Sequence, residues 1–206
     1  MSATGLYALV DDAKNLLGLP SSDHRDDAWL GMTLESVSRL IELYTGRRFW
    51  SATETRYYTA HCASSLYTDD ILAITSLRTD EDGNASYETT WATGDYYLAP
   101  FNATLHPQPE PYTQIITRPN SSVLFPVGIT RGVQIAGTFG FNPTTAMPML
   151  VKTAVLQQVM LDFRAKDAPM GSVGGGERAQ PQRMPGGLHP FTARSLDYYR
   201  RRVHGG

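Results

Sequence analysis

The chain has 206 residues, and its 18 basic and 20 acidic side chains give a formal net charge of −2 at pH 7. A chain of this length can bury a sizeable core, and its nearly balanced charge argues against a general nucleic-acid-binding protein. Cys62 is the only cysteine, which excludes the intrachain disulfide framework of many small secreted proteins.

The charge is distributed unevenly along the chain. Eight basic and three acidic residues lie from Arg164 onward, so this region carries +5 and the preceding residues carry −7. The start of the chain lacks the basic and apolar regions of a signal peptide, and no stretch approaches the roughly 18 apolar residues of a membrane span. We therefore expect a soluble protein made in a reducing cytoplasm, without membrane association.

Two helices are predicted at the start of the chain, over residues 4–17 and 23–45. Apolar residues recur in both at steps of three and four, and Gly46 is a typical C-cap for the second helix. The predicted core-facing residues are Leu6, Leu9, Val10, Ala13, Leu16 and Leu17 in the first helix and Leu30, Leu34, Val37, Ile41 and Tyr44 in the second.

Short β-favouring runs separated by turn residues follow from residue 50 onward. The predicted strands are 55–59, 66–68, 71–77, 87–91, 96–98, 114–117 and 132–139. Residues 99–126 hold six of the 13 prolines, which predicts a long irregular connection within this region.

A third helix is predicted over residues 146–166, followed by a region rich in glycine and proline that is typical of a flexible linker. The core face of this helix is predicted to contain Leu150, Val151, Ala154, Val155, Gln158 and Leu161. Thr192 is predicted to cap a last short helix whose cations lie at its C-terminal end.

These patterns together predict an α+β fold in which a small α-helical bundle core carries a β-rich insertion. We expect four parts: residues 1–49 form the N-terminal helical part of the core, and residues 50–142 form the insertion with its Pro-rich loop. Residues 143–170 form the third core helix, and residues 171–206 form a flexible linker and an extended basic C-terminal arm.

The sequence contains no residue pattern typical of catalysis. The glycines of residues 171–178 lack the Lys-Ser/Thr pair of a phosphate-binding loop, and the chain has no G-x-S-x-G elbow. His24 stands among acidic residues at a helix start, where capping explains them, and His61 and Cys62 would point to opposite faces of a strand. We therefore expect no enzymatic activity, no cofactor and no metal.

Several short motifs occur in a particular order along the chain. Asp26-Asp27 comes first, residues 38–49 read SRLIELYTGRRF, Thr138-Phe139-Gly140-Phe141 ends the β-rich region, and residues 164–171 read RAKDAPMG. In this order they resemble the head-to-tail connector, or adaptor, family of tailed bacteriophages, over residues 6–171. The insertion at 50–137 and the tail from Gly171 are longer than a minimal connector requires.

The resemblance implies a structural virion protein of the phage neck, made in the bacterial host cytoplasm and devoid of catalysis. Such a protein forms a ring of about a dozen copies beneath the portal and extends the DNA channel. It also offers an attachment surface to the next head-completion or tail protein. Its partners would thus be other copies of itself, the portal and that downstream protein, while DNA passes through the channel without specific binding.

Two contact surfaces are predicted on this basis. Arginine and aromatic residues are enriched at interface centres, so a candidate subunit interface comprises Arg39, Tyr44, Arg47, Arg48 and Phe49. For the arginines, compensation of the helix dipole is the alternative explanation. A candidate portal-docking arm, expected to become ordered on binding, contains Phe191, Leu196, Tyr198, Tyr199, Arg200, Arg201 and Arg202.

Two other functions remain open. The C-terminal arginine cluster could make the chain a DNA-binding module. The aromatic residues of the β-rich region could instead indicate a phage tail-associated β module that acts on or binds a glycan, although such residues at alternating positions are commonly core or cross-strand pairs. These aromatic residues are Trp50, Tyr57, Tyr58, Tyr67, Trp91, Tyr96 and Tyr97.

Overall fold

The computed structural model describes residues 5–105, 109–141, 147–166, 172–173, 182–183 and 187–201. Within these ranges the protein is an α+β chain with four α-helices and a six-stranded antiparallel sheet. The chain divides into two compact units, which we call the helical unit (residues 1–49 and 146–206) and the sheet unit (residues 50–145). None of the helices in the described ranges is both long enough and apolar enough to cross a bilayer.

The first helix, α1, spans Val10–Leu17 and is shorter than predicted. It begins at Val10 because the Asp12 carboxylate accepts the Leu9 backbone N–H at 3.0 Å, and Gly18 ends it with a positive φ of 71°. The predicted core positions Leu9 and Leu16 are exposed, whereas Tyr7, which precedes the helix, is buried. The prediction of a helix over residues 4–17 was therefore wrong at its start and in part of its buried face.

The second helix, α2, spans Asp27–Thr45 and agrees closely with the sequence pattern. Leu30, Leu34, Val37 and Ile41 are buried as predicted, and Tyr44 is half-buried. Gly46 has a φ of 66° and its N–H donates to the Glu42 carbonyl at 2.8 Å, which confirms the predicted C-cap.

The third helix, α3, spans Met149–Ala165 and packs against both α1 and α2. Val151, Ala154, Val155 and Gln158 are buried as predicted, whereas Leu150 is exposed. Two ion pairs connect α3 and its C-terminal end to the other helices: Lys152 to Asp12 at 2.8 Å and Lys166 to Asp26 at 2.6 Å.

The chain beyond α3 is only partly the extended arm predicted from the sequence. Ser172–Val173 (β7) and Gln182–Arg183 (β8) form a two-stranded antiparallel pair, and the rest of residues 167–186 lies outside the described residues. The last helix, α4, spans Pro190–Leu196 and continues into a 3-10 turn, Asp197–Tyr199. Thr192 was wrongly predicted as its cap: the helix begins at Pro190, and the His189 ring accepts the Phe191 N–H at 3.3 Å.

The sheet unit contains six strands in the order β1-β6-β2-β5-β4, with β3 paired to β2. The strands are Ala52–Tyr58 (β1), Ser65–Thr79 (β2), Thr89–Thr90 (β3), Tyr96–Ala99 (β4), Tyr112–Thr117 (β5) and Val133–Phe139 (β6). The long strand β2 joins two predicted strands into one, and its pairing with β5 shifts in register between Tyr67 and Ile71. The predicted strand at 87–91 is reduced to the two residues of β3.

The core of the sheet unit lies on one face of these strands. Ile71, Ile115, Ile135 and Phe139 are fully buried there, which removes their apolar surface from water. Trp91 packs into the same cluster, with its ring stacked on another aromatic ring, that of Phe125, at 4.5 Å between centroids.

Candidate assembly surface on the helical unit

Several residues of the two predicted contact surfaces lie together at the C-terminal end of α2. The last described residues of the chain fold back onto this end, where the Arg201 N–H donates to the Thr45 carbonyl at 2.8 Å. Arg47 Nε donates to the Tyr199 carbonyl at 2.8 Å, and the Tyr44 hydroxyl donates to Asp197 at 2.6 Å. The structure therefore brings together two segments that were predicted to form separate surfaces.

An aromatic cluster underlies this contact. The Tyr199 and Phe49 side chains are each 1% exposed, and their rings meet edge to face at 5.3 Å between centroids. The Tyr7 ring meets the Phe49 ring edge to face at 5.6 Å between centroids, and the Tyr7 hydroxyl accepts the Phe49 backbone N–H at 3.1 Å. Leu196 is also fully buried.

This packing contradicts the prediction of an extended C-terminal arm that becomes ordered only on binding. Residues 190–201 are folded onto the helical unit in the isolated chain, because Leu196 and Tyr199 remove large apolar surfaces from water there. Phe49, Leu196 and Tyr199 consequently act as core residues in this conformation and leave almost no surface for a partner. Arg202 lies outside the described residues.

Three of the predicted docking residues do reach solvent. Phe191 is 63% exposed, Tyr198 is 64% exposed, and the Arg200 side chain is 61% exposed. The Arg200 guanidinium lies 5.3 Å from the Tyr44 ring centroid and 3.9 Å from Asp197. Such exposed ion pairs contribute little to stability, so Arg200 can exchange these contacts for others at small cost.

Two of the predicted interface arginines bond segments near the two ends of the described chain, at Gly5 and Tyr199. Arg39 donates to the Gly5 carbonyl and lies 3.1 Å from Glu42, and Arg47 bonds the C-terminal segment as described above. The Tyr7 hydroxyl also donates to Glu42, and burial raises the pKa of Tyr7 well above its usual value. The role of Arg39 and Arg47 in a subunit contact stays a prediction.

The arginines also concentrate positive charge at this end of the helical unit. Arg47 and Arg48 follow α2, and Arg200 and Arg201 reach the same point from the other end of the chain. The carboxylate of Asp197 lies among them. The cluster is partly compensated by the negative end of the α2 dipole, and its chemistry suits carboxylate or phosphate groups.

A group of acidic residues in the sheet unit was not singled out in the sequence, although D-x-D-G-N at residues 80–84 is a visible signal. Carboxylate oxygens of Asp80, Asp82 and Glu88 lie within 4.8 Å of one another. Burial raises the pKa of Asp80, but backbone N–H groups of Gly83 and Ala85, each at 2.8 Å, outweigh that effect and lower the pKa. These hydrogen bonds give Asp80 a structural role in shaping the loop.

The exposed aromatic residues of the sheet unit argue against a glycan-binding face. Of the aromatic residues singled out in the sequence, Trp91 and Tyr96 are buried in the core, Trp50 and Tyr58 are half-buried, and Tyr57, Tyr67 and Tyr97 are exposed. Arginine guanidinium groups already stack on two of these rings: Arg131 lies 4.4 Å from Tyr57, and Arg118 lies 4.2 Å from Tyr97. A sugar ring would have to displace these cations.

Cys62 is exposed and is expected to react as a thiolate near neutral pH. Its sulfur lies 3.3 Å from the Ser64 hydroxyl, and hydrogen bonds with that hydroxyl first, and with the Ser64 backbone and Ser65, lower the pKa of Cys62 to about 7. The rate of alkylation by iodoacetamide should therefore rise with pH through a midpoint near 7. In the Ser64→Ala variant the midpoint should move to higher pH, and an unchanged midpoint would contradict this assignment.

No protein-family model matches this chain, and no curated protein matches it either. Among solved structures, a chain described as part of the "Neck of empty GTA particle computed with C6 symmetry" is similar in fold, with a TM-score of 0.61 and 19% sequence identity. A chain from the "Virion of native gene transfer agent (GTA) particle" has a TM-score of 0.55 and 17% identity. Both similarities cover 100% of this chain and 96% of the other chain.

Proposed function

We propose that this chain is a structural protein of the neck of a phage-like particle, where it forms a ring-shaped head-to-tail adaptor. The observation that carries the proposal is the fold similarity to a chain of a gene transfer agent neck, which covers 100% of this chain. The order of the connector-like motifs along the sequence supports the same role.

A ring is the form of assembly that this role requires. Cyclic symmetry joins two unlike patches of one chain in a contact that closes on itself. The similar neck structure is described with C6 symmetry, and about twelve copies, a multiple of six, would be compatible with that symmetry. The C-terminal end of α2 is our candidate for one of the two patches.

We further propose that the exposed residues of the C-terminal segment meet the portal. Phe191, Tyr198 and Arg200 combine two accessible aromatic rings with a cation, the composition typical of interface centres. Leu196 and Tyr199 support this surface from beneath, since they anchor the segment to the helical unit. The opposite side of the ring would then receive the next head-completion or tail protein.

The proposed work of the ring is mechanical rather than catalytic. DNA must slide through the channel, and every phosphate that a protein neutralises adds a salt-sensitive hold on it. Because this chain has a net charge of −2, it neutralises few DNA phosphates overall and so binds the passing DNA only weakly. We accordingly assign it neither an enzymatic reaction nor a cofactor.

The test is complementation in cells that produce the particle without this chain. We expect heads without attached tails in its absence, and restored tailed particles when the unaltered chain is supplied, as counted by electron microscopy. Intact tailed particles formed without the chain would refute the proposal.

Surface variants then test the docking residues. The triple variant Phe191→Ser, Tyr198→Ser, Arg200→Glu should fold but reduce tailed particles at least about tenfold, the effect of losing a binding hot spot. A matched control changes two equally exposed side chains of the sheet unit, Tyr67→Ser and Leu124→Ser, and should complement normally. Full complementation by the triple variant would remove this surface from the proposal.

One observation favours a second candidate function. The arginines of the C-terminal segment lie beside Arg47 and Arg48, so the chain concentrates positive charge at one place. If this cluster binds DNA, the isolated protein should bind duplex DNA with an affinity that falls steeply with salt. Binding that is absent at low salt would exclude this candidate.

A further inference from the structure

A cleft of about 230 Å³ lies between α2 and α3 in the helical unit. Val37 and Leu40 of α2 and Leu161 of α3 provide apolar walls, and Gln158, Asp162 and His189 provide polar groups. The cleft lies outside the aromatic cluster and none of the predicted contact residues lines it.

Hydrogen bonds fix the orientation of the polar side chains in the cleft. Gln158 is 5% exposed, and its Oε1 accepts the His189 backbone N–H at 2.8 Å. This bond orients the amide so that its Nε2 donates to Asp162 Oδ1 at 3.0 Å. The carboxylate of Asp162 is thus supported by two linked hydrogen bonds, from the His189 backbone N–H to Gln158 and from Gln158 to Asp162.

Asp162 differs from the other half-buried carboxylates of the helical unit. Within the described residues of that unit, each of the others lies within ion-pair distance of a lysine or arginine, whereas no such cation reaches Asp162. Burial disfavours the charged form of this carboxylate and therefore raises the pKa of Asp162. The paired carboxylates are Asp12, Asp23, Asp26, Asp27 and Glu42.

We propose that this cleft binds an arginine side chain presented by another protein chain. The apolar walls would cover the methylene groups of the arginine, and its guanidinium would pair with the carboxylate of Asp162. Arginine fits better than lysine because a guanidinium is weakly hydrated and donates several directed hydrogen bonds, whereas an ammonium loses more hydration in a half-buried site. The assignment of this arginine to a neighbouring neck protein rests on the proposed function, whereas the binding of an arginine side chain by the cleft does not.

The probe is N-acetyl-arginine amide, titrated into the full chain at neutral pH and followed by NMR shifts of backbone amides. We expect saturable shifts confined to the cleft residues of α2, α3 and the segment at 187–189. N-acetyl-citrulline amide has the same shape without the charge and should bind at least about tenfold more weakly. Asp162→Asn should cause a similar loss, whereas Asp197→Asn, a change outside the cleft, should leave binding unaltered.

Four outcomes would overturn the proposal. They are no saturable shift with the arginine probe, equal binding of the citrulline probe, undiminished binding by Asp162→Asn, and tighter binding of putrescine, which would indicate a site for a free diamine. The Arg183→Ala variant should bind the arginine probe as the unaltered chain does. Binding seen only in this variant would mean that the chain's own Arg183 occupies the cleft, which would also contradict the proposal. A failed complementation experiment would refute the neck assignment while leaving these binding results intact.

Discussion

Replacing Tyr199 by alanine is expected to lower the free energy of unfolding by about 3 to 5 kcal/mol, the usual loss when a fully buried aromatic side chain is truncated. The Tyr199 ring is 1% exposed and packs edge to face on Phe49. Its removal leaves a cavity against Phe49 and also weakens the attachment of the whole segment at 190–201. Urea unfolding followed by circular dichroism would measure the change.

Tyr198→Ala provides a matched control one residue away. Tyr198 is 64% exposed and contacts the Tyr199 ring at its edge, so its removal should cost about 1 kcal/mol or less. Equal destabilisation by the two variants would show that the C-terminal segment is not packed as described. A strong effect of Tyr199→Ala would also mean that deleting the segment unfolds part of the helical unit, which makes surface substitutions the sharper probe of docking.

Gly137→Ala is expected to destabilise the sheet unit by about 3 kcal/mol, the upper part of the usual range for overpacking. Gly137 lies in β6 between β1 and β2, where it pairs with Glu54 and Ile74. A Cβ atom at this position would lie 2.2 Å from the Ala73 carbonyl oxygen, so the backbone of β2 would have to move. The loss should be measurable as a lower midpoint in thermal unfolding.

Gly94→Ala is the control for this prediction. Gly94 lies in a turn of the sheet unit, and nothing lies within 4 Å of an added Cβ atom. Its substitution should change stability by no more than about 0.5 kcal/mol. Unchanged stability in Gly137→Ala would show that the close approach of β2 and β6 at this glycine is absent in solution.

Several elements could be predicted from local sequence because their causes are local. The buried stripe of α2 and its end at Gly46 follow from helical periodicity and from the left-handed conformation that glycine adopts without strain. Four buried residues of α3 follow from the same periodicity, whereas Leu150 is exposed, Leu161 is half-buried and the buried Val159 was not predicted. The β-rich character of residues 50–139 was likewise visible in its runs of β-favouring residues.

Other features could not be predicted because they depend on distant partners. Two acidic residues, Asp69 and Asp70, interrupt the apolar pattern of β2 and divided it into two predicted strands, whereas pairing with β5 and β6 makes it continuous. In α1 the pattern suggested six core positions, but the Asp12 cap starts the helix later and exposes Leu9.

The amino-acid sequence by itself determined the class of fold, most of the helices and the apolar residues of the C-terminal segment. Only the tertiary structure decided where that segment lies, since Arg47 and Tyr199 are 152 residues apart in the chain and are joined by a hydrogen bond. It also decided that Gln158, oriented by the His189 backbone N–H, donates a hydrogen bond to Asp162. Capping and periodicity act over a few residues, whereas the choice of contacting faces depends on the apolar surface buried by the folded chain as a whole.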